Sequence, residues 1–208
     1  MFRNIKNYFN KKSLKDEKYS YLFDECLEKD EFICFDCETT GLDPEIDDIV
    51  SIGAVLIKNN TIVSSKKFVR FVKPKFCSLS EAAIKVHHIR ECDLEDAFDI
   101  DDVVLEFLDF VGNKPLVGYF LDFDMKMINK YLKPLLGINL PNKTYEVSEI
   151  YHDFKMELIP QGFIDLRFNT ILDELELPSF GVHDSFNDAL MTAMIFLKLK
   201  NYPNVKIK

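Results

Sequence analysis

Two carboxylates stand two residues apart at the end of a short apolar run in FICFDCETTG, Phe32 to Gly41. They are Asp36 and Glu38, and Thr39, Thr40 and Gly41 follow them as a chain reversal. The run Phe32, Ile33, Cys34, Phe35 reads as a buried strand. Alternate residues of an extended chain share a face, so the two acids project side by side from the strand's end. Anions held that close raise each other's pKa, and a hard divalent cation with oxygen ligands relieves the repulsion. Taken alone, an Asp-x-Glu at a loop entry also has a purely structural reading. A nucleophilic-aspartate phosphatase would want Asp in place of Glu38. An EF-hand loop traced through Asp36, Glu38, Thr40, Gly41 and Asp47 lacks the preceding helix, and Asp47 is too short for the closing bidentate ligand. Cys34 and Cys37 form C-x-x-C, but no second Cys/His pair follows at zinc spacing, and thiols so placed on a strand face opposite ways.

Other acids stand where the pair would need partners. Asp124 falls in the first turn of a helical stretch in YFLDFDMKMI, and Asp188 lies five residues after His183 in HDSFNDA. Each has a plainer reading, Asp188 as a solvated helix residue and His183 as a surface histidine. Asp122 is expected to cap the helix that follows. Four carboxylates and one histidine become a site only if the fold brings them together, and sequence spacing by itself does not show that.

The elements that must do so are legible in part. Asp48 to Lys58 and Thr61 to Val72 are β-branched and aromatic, and Asn59-Asn60 between them is a two-residue hairpin turn. Strands one to three therefore form an antiparallel meander, which Pro74 ends. Ser80 caps a short helix to Val86, Asp93 to Phe98 holds another helical turn, and Ile100 to Val111 is helical, stopped by Gly112. Pro115 to Phe120 is a fourth strand and runs straight into a helix from Asp122 to Leu136. Residues 137–164 are turn-rich, with a short element at Tyr145 to Tyr151. Leu166 to Leu175 is amphipathic, Pro178 to Gly181 is a loop, and Ser185 to Leu199 is the last helix. Strands alternating with helices give an α/β fold with a sheet covered by helices.

Before the first strand, residues 1–30 form a helical arm. Arg3, Lys6, Lys11, Lys12, Lys15 and Lys18 outnumber the acids of its first 18 residues, and Phe2, Ile5 and Phe9 make an apolar stripe. The arm either packs on the domain, residues 31–202, or offers a surface to a protein partner. A chain of 208 residues suits one domain and such an appendage. A net charge of −9 argues against a broad grip on duplex phosphates, yet leaves room for a small acidic site neutralised by metal ions. Five cysteines without regular spacing fit reduced thiols. No apolar stretch approaches a membrane span and no signal-peptide segment opens the chain, so a cytoplasmic protein is expected.

In chain order, FDCETTGL, VGYFLDFD and HDSFNDA resemble the three motifs of the DEDDh exonucleases, the DnaQ-like and RNase T-like superfamily. Those motifs are strand-D-x-E-T-T-G, a second ending in F-D at a helix start, and H-x4-D. The resemblance spans roughly Phe32 to Leu199. It implies an RNase H-like fold whose mixed sheet of five strands, antiparallel then parallel, is flanked by helices, with Ala82 to Ile89 leading to the family's Val-His-x-Ile turn. It implies Asp36, Glu38, Asp124 and Asp188 as ligands of two divalent cations, Mg²⁺ or Mn²⁺, and His183 as general base. It further implies that Thr39, Thr40, Gly41 and Leu42 seat the terminal nucleotide of a single-stranded DNA or RNA 3′ end, released as a nucleoside 5′-monophosphate. One departure stands out: many relatives carry His-Asn where this chain has Tyr119-Phe120, which puts the contacts to the entering strand in doubt. Phe120 becomes a candidate for stacking on a base, whereas Phe123 suits the core. A polymerase-associated subunit of little or no activity, acting through residues 1–30, is the rival reading.

Overall fold

The computed structural model describes residues 2–158, 162–181, 183–203 and 205, with side chains from residue 7 onward. Helix α1 (Phe2–Lys12) and a 3-10 segment (Glu17–Phe23) precede strands β1 (Glu31–Thr39), β2 (Ile49–Lys58) and β3 (Thr61–Phe71). Helices α2 (Glu81–His87) and α3 (Ile100–Val111) follow, with a 3-10 turn (Glu91–Leu94) between them. Then come β4 (Leu116–Gly118), α4 (Leu121–Leu136), β5 (Thr144–Glu146), α5 (Val147–Leu158), α6 (Phe168–Glu174) and α7 (Ser185–Lys200). The sheet order is β3-β2-β1-β4-β5. β1 to β3 pair antiparallel, while β1 with β4 and β4 with β5 pair parallel, giving the mixed five-stranded sheet expected. Asn59 and Asn60 both take positive φ, 50° and 57°, as a tight hairpin that follows the strand twist requires.

The period-two alternation of β1 divides the core. Ile33, Phe35 and Cys37 join the cluster under α3 and α4, whose Phe107, Val104, Ile128 and Leu132 are fully buried. Phe32 and Cys34 join the opposite cluster with Ile195, Phe196 and Leu199 of α7. The C-x-x-C thiols therefore do lie on opposite faces. Asp36 and Glu38 continue the row of Phe32 and Cys34 toward the end of the strand, so the acids point to the α7 side.

Several local features differ from the sequence expectations. Asp122 does not cap α4. The chain leaves β4 through Phe120 in the left-handed region (φ 54°, ψ 36°), and no side chain of that residue caps the helix. The helix thus begins before Asp122, and Glu146 Oε2 accepts the Leu121 N–H at 2.8 Å instead. The stretch 137–164, read as turns with one short element, contains β5 and the whole of α5; the three-residue strand is too short for its alternation to register. The expected helical arm, residues 1–30, is helical only in part: after α1 it holds the 3-10 segment Glu17–Phe23 and, among the described residues, no further helix before β1.

Residues before β1 are docked. Tyr19 and Leu22 are 4% and 3% exposed within the cluster of Phe35 and Phe107. Asn10 Nδ2 donates to the Asn139 carbonyl (2.6 Å), and the Asn139 N–H returns a bond to Asn10 Oδ1 (2.9 Å). In the expected apolar stripe Phe9 is exposed, while the side chains of Phe2 and Ile5 lie outside the described residues. Among the described residues no helix is long and apolar enough to cross a membrane.

Candidate active site

Three elements deliver the acids to one place. β1 supplies Asp36 and Glu38, paired across the ladder with Gly53 and Ser51 of β2. Gly53 has no side chain, and the first turn of α7 rests on it: a Cβ built there would lie 2.3 Å from the Phe186 nitrogen and 2.3 Å from the Ser185 carbonyl carbon. Beside that contact, the Ser51 and Ser185 hydroxyls hydrogen-bond at 2.7 Å in a buried position. Asp184 caps the helix by accepting the Asn187 N–H. Asp188 then falls one turn into α7 and faces the end of β1. One carboxylate oxygen each from Asp36, Glu38 and Asp188 lies within 4.8 Å of the others.

Asp124 arrives from the opposite side. Odd-numbered residues of β1 turn their N–H groups toward β4, as the Ile33 N–H does to the Pro115 carbonyl (2.9 Å). β4 ends at Gly118 while β1 runs on to Thr39, so the Cys37 N–H has no strand partner. It donates to Asp124 Oδ1 at 3.1 Å. Asp124 is 3% exposed and sits at the point where β1 and β4 part. The ends of parallel strands at such a divergence commonly form a binding crevice.

The electrostatics are those of a crowded anionic site. Burial, then Asp124, Glu38, Asp188 and Asp184, push the Asp36 carboxyl well above the usual carboxylate range. Burial followed by Asp188 and Asp184 raises Glu38 to about 8. Burial raises Asp188 to about 6, against the bond that it accepts on Oδ2 from the His183 N–H at 2.9 Å. Asp124 is raised by burial, against the Cys37 N–H. Asp188 Oδ1 is buried with no hydrogen-bond partner among the described residues. Oxygen donors crowded in this way, one of them unsatisfied, fit hard divalent cations, and among the described residues no nitrogen or sulfur ligand joins the set.

A cleft of about 1170 Å³ opens over the acids, with His183 on its wall. His183 is exposed and left-handed (φ 67°). Leu42, 87% exposed, lies on the same cleft, as do Thr39 and Phe120. The expectation for Thr40 needs correction. That residue is 2% exposed and turned away: its hydroxyl donates to Asp47 Oδ1 (3.0 Å) and accepts the Asp48 N–H (2.9 Å), and its carbonyl accepts from Ser80 (3.0 Å). Its N–H goes to the Asp48 carbonyl, so none of its polar groups is left for a nucleotide. Gly41 likewise faces inward, with the Asp47 carboxylate where a Cβ would be, and its carbonyl accepts the Thr39 hydroxyl at 2.6 Å. Thr40 and Gly41 thus shape the reversal that carries Thr39 and Leu42. Phe123 is partly buried against the core, as expected.

Sequence reasoning missed Gly53, Ser51, Asp184 and Glu146. Glu146 binds the start of α4 and also accepts the Ser148 N–H (2.9 Å) and hydroxyl (2.6 Å). Asp184 carried a readable signal, an acid directly before a helical run; Gly53 and Ser51 carried none, because each acts on a helix more than 130 residues away.

The comparisons with known proteins agree with this geometry. The exonuclease family named for RNase T matches residues 33–196. DNA polymerase III subunit epsilon of Aquifex aeolicus is 30% identical over 168 residues, 81% of this chain and 79% of that protein. A PolC-type DNA polymerase III of Caldanaerobacter subterraneus is 34% identical over 173 residues, 81% of this chain; the chain spans only 11% of that polymerase's length. The solved complex of E. coli exonuclease I with a dA16 oligonucleotide has a TM-score of 0.71 at 15% identity, covering 84% of this chain and 42% of that one. With RNase H-like architecture, converging acids and a family match from β1 into α7, the chain belongs to the RNase T exonuclease family, within the DnaQ-like superfamily, and is epsilon-like in sequence.

Proposed function

We propose that this chain is a metal-dependent 3′→5′ exonuclease that hydrolyses phosphodiester bonds at single-stranded DNA or RNA 3′ ends and releases nucleoside 5′-monophosphates. Residues 31–202 form its catalytic domain and residues 1–30 a partly helical arm. The observation that carries this reading is the meeting of Asp36, Glu38 and Asp188 within 4.8 Å, together with a buried Asp188 oxygen that has no hydrogen-bond partner among the described residues. Asp36, Glu38, Asp124 and Asp188 would hold two divalent cations, Mg²⁺ or Mn²⁺. Bound there, the cations supply neutralising charge for a phosphate and its leaving oxygen.

The chain's own groups do the rest. His183 stands on the cleft wall and takes the proton of the attacking water as general base. The bond from its N–H to Asp188 keeps it beside the acids. Leu42 offers exposed apolar surface to the terminal base, and Thr39, braced on the Gly41 carbonyl, keeps that reversal in place. The net charge of −9 favours a short footprint at one strand end over a long grip on a duplex. The oligonucleotide complex of the similar exonuclease I supports a single-stranded substrate. The polymerase III names of the sequence relatives support a polymerase as the partner of residues 1–30.

The test is degradation of 5′-labelled single-stranded DNA and RNA with Mg²⁺ or Mn²⁺. A ladder shortening from the 3′ end is expected, abolished in Asp36→Ala and reduced about 10²- to 10⁴-fold in His183→Ala. Undiminished degradation by either variant would sink the site assignment.

A further inference from the structure

Phe120 is unusual twice over. It is a bulky residue in the left-handed region (φ 54°), a conformation that Asn or Gly adopts readily and that an aromatic side chain resists. Such strain is normally offset by packing, yet Phe120 is 62% exposed. The backbone is forced there by the turn from β4 into α4: the Leu121 N–H is held by Glu146, and a Cβ on Gly118 would meet the Leu121 side chain at 2.7 Å. The turn dictates the conformation, but it gives no reason for the side chain.

The ring's surroundings give one. Phe120 lies on the cleft, one helical turn before Asp124, and its ring leans on Tyr119 (centroids 4.5 Å apart), which leans on Phe168 (4.8 Å). The Tyr119 hydroxyl donates to the Leu166 carbonyl at 2.8 Å, fixing the middle ring of the three. The row is therefore braced from behind and open toward the cleft. Thr39 ends β1 and Leu42 lies in the reversal after it, whereas Phe120 comes in at the start of α4, ahead of Asp124.

We propose that Phe120, backed by Tyr119 and Phe168, is a stacking platform for the base next to the terminal nucleotide, and so sets how firmly the enzyme holds a strand rather than a single nucleotide. The inference rests on the exonuclease reading above. Stacking tolerates any base, which suits an enzyme that meets every sequence as it advances.

The experiment compares wild type, Phe120→Asn and Phe120→Trp on two substrates: a short oligothymidylate, and the p-nitrophenyl ester of thymidine 5′-monophosphate, which carries one nucleotide only. Phe120→Asn is expected to raise KM for the oligonucleotide about tenfold and to lower kcat/KM on the ester by a much smaller factor. It is also expected to raise the melting temperature by about 2 to 4 °C, because Asn relieves the backbone. A purely structural Phe120 predicts the opposite sign for stability. Phe120→Trp should restore the low KM; the chain contains no tryptophan, so quenching of the new indole by the oligonucleotide reports stacking directly. Wild-type activity on the oligonucleotide with an unchanged KM in Phe120→Asn, or equal losses on both substrates, overturns the platform alone. A wild-type protein inert on both substrates overturns the exonuclease reading and this inference with it.

Discussion

Gly53→Ala should disable the site without touching a single acid. The added methyl would sit 2.3 Å from backbone atoms of Ser185 and Phe186, where ordinary contact begins at 3.4 Å. Those atoms belong to α7 itself, so no flexible side chain can move aside, and the helix start must retreat by about 1 Å. Overpacking of this kind costs about 1 to 3 kcal/mol. For a chain of this length that lowers the melting temperature by roughly 2 to 12 °C. The larger effect is on geometry. Asp188 rides on the displaced turn, while Asp36, opposite Gly53 in the ladder, stays with β1. A misplacement of about 1 Å can lower the rate about 10²-fold. The assay pairs urea unfolding with oligonucleotide degradation at a temperature where the variant remains folded. Leu199→Ala, at the fully buried far end of α7, is the control: it should destabilise by about 2 to 5 kcal/mol yet keep its activity while folded. A Gly53→Ala protein with native kcat would refute the reasoning, as would one whose loss merely tracks stability in the way the control's does.

Further outcomes concern the acids, the loop behind them and the arm. Mg²⁺ should stabilise the folded protein, by about 2.7 kcal/mol at a hundredfold excess over its dissociation constant, read as a rise in melting temperature. Asp36→Asn should abolish that response while making the cation-free protein more stable, since it removes one charge from a crowded anionic cluster; a variant that still responds to Mg²⁺ argues against Asp36 as a ligand. Asp48 is buried, and burial alone would raise its carboxyl. Bonds from the Tyr131 hydroxyl and the Phe76 and Cys77 N–H groups, with Lys130 nearby, outweigh burial and leave it lowered. A lowered acid stabilises the fold above its unfolded pKa of about 3.9 and loses that contribution as pH falls through the folded value. Asp48→Asn should therefore cost about 2 to 3 kcal/mol at pH 7 and flatten the acid limb of the stability profile below about pH 4; a parallel limb would count against it. Deleting residues 1–12 should leave the fold intact. Deletion through Phe23 should lower the melting temperature sharply, because it strips Tyr19 and Leu22 from the core. Equal stability of the two truncations would contradict that packing.

Much of this protein was legible in its residues because the determining interactions are local. The alternation of Phe32 to Glu38 put both acids on one face, Asn59-Asn60 specified the hairpin, and the apolar spacing of Ile100 to Val111 marked α3 to the residue. The three motifs, in order, marked all five catalytic candidates, and each of them lines the same cleft. What local pattern could not convey was which surfaces touch. Thr40 sits in a motif whose Thr39 and Leu42 face the cleft, and only its bonds to Asp47 and Asp48 show it turned inward. Gly53 and Ser51 read as ordinary strand residues until α7 is laid across them. The left-handed backbone at Phe120 lies in the turn from β4 into α4, whose first N–H is held by Glu146, 25 residues further along the chain and outside any short window of sequence. Residue types and spacing set out the chemistry on offer, because motif composition and strand periodicity are read within short windows of the chain. Tertiary structure alone decided which groups reach the cleft and how tightly they are held, because that depends on backbones packed from distant parts of the chain.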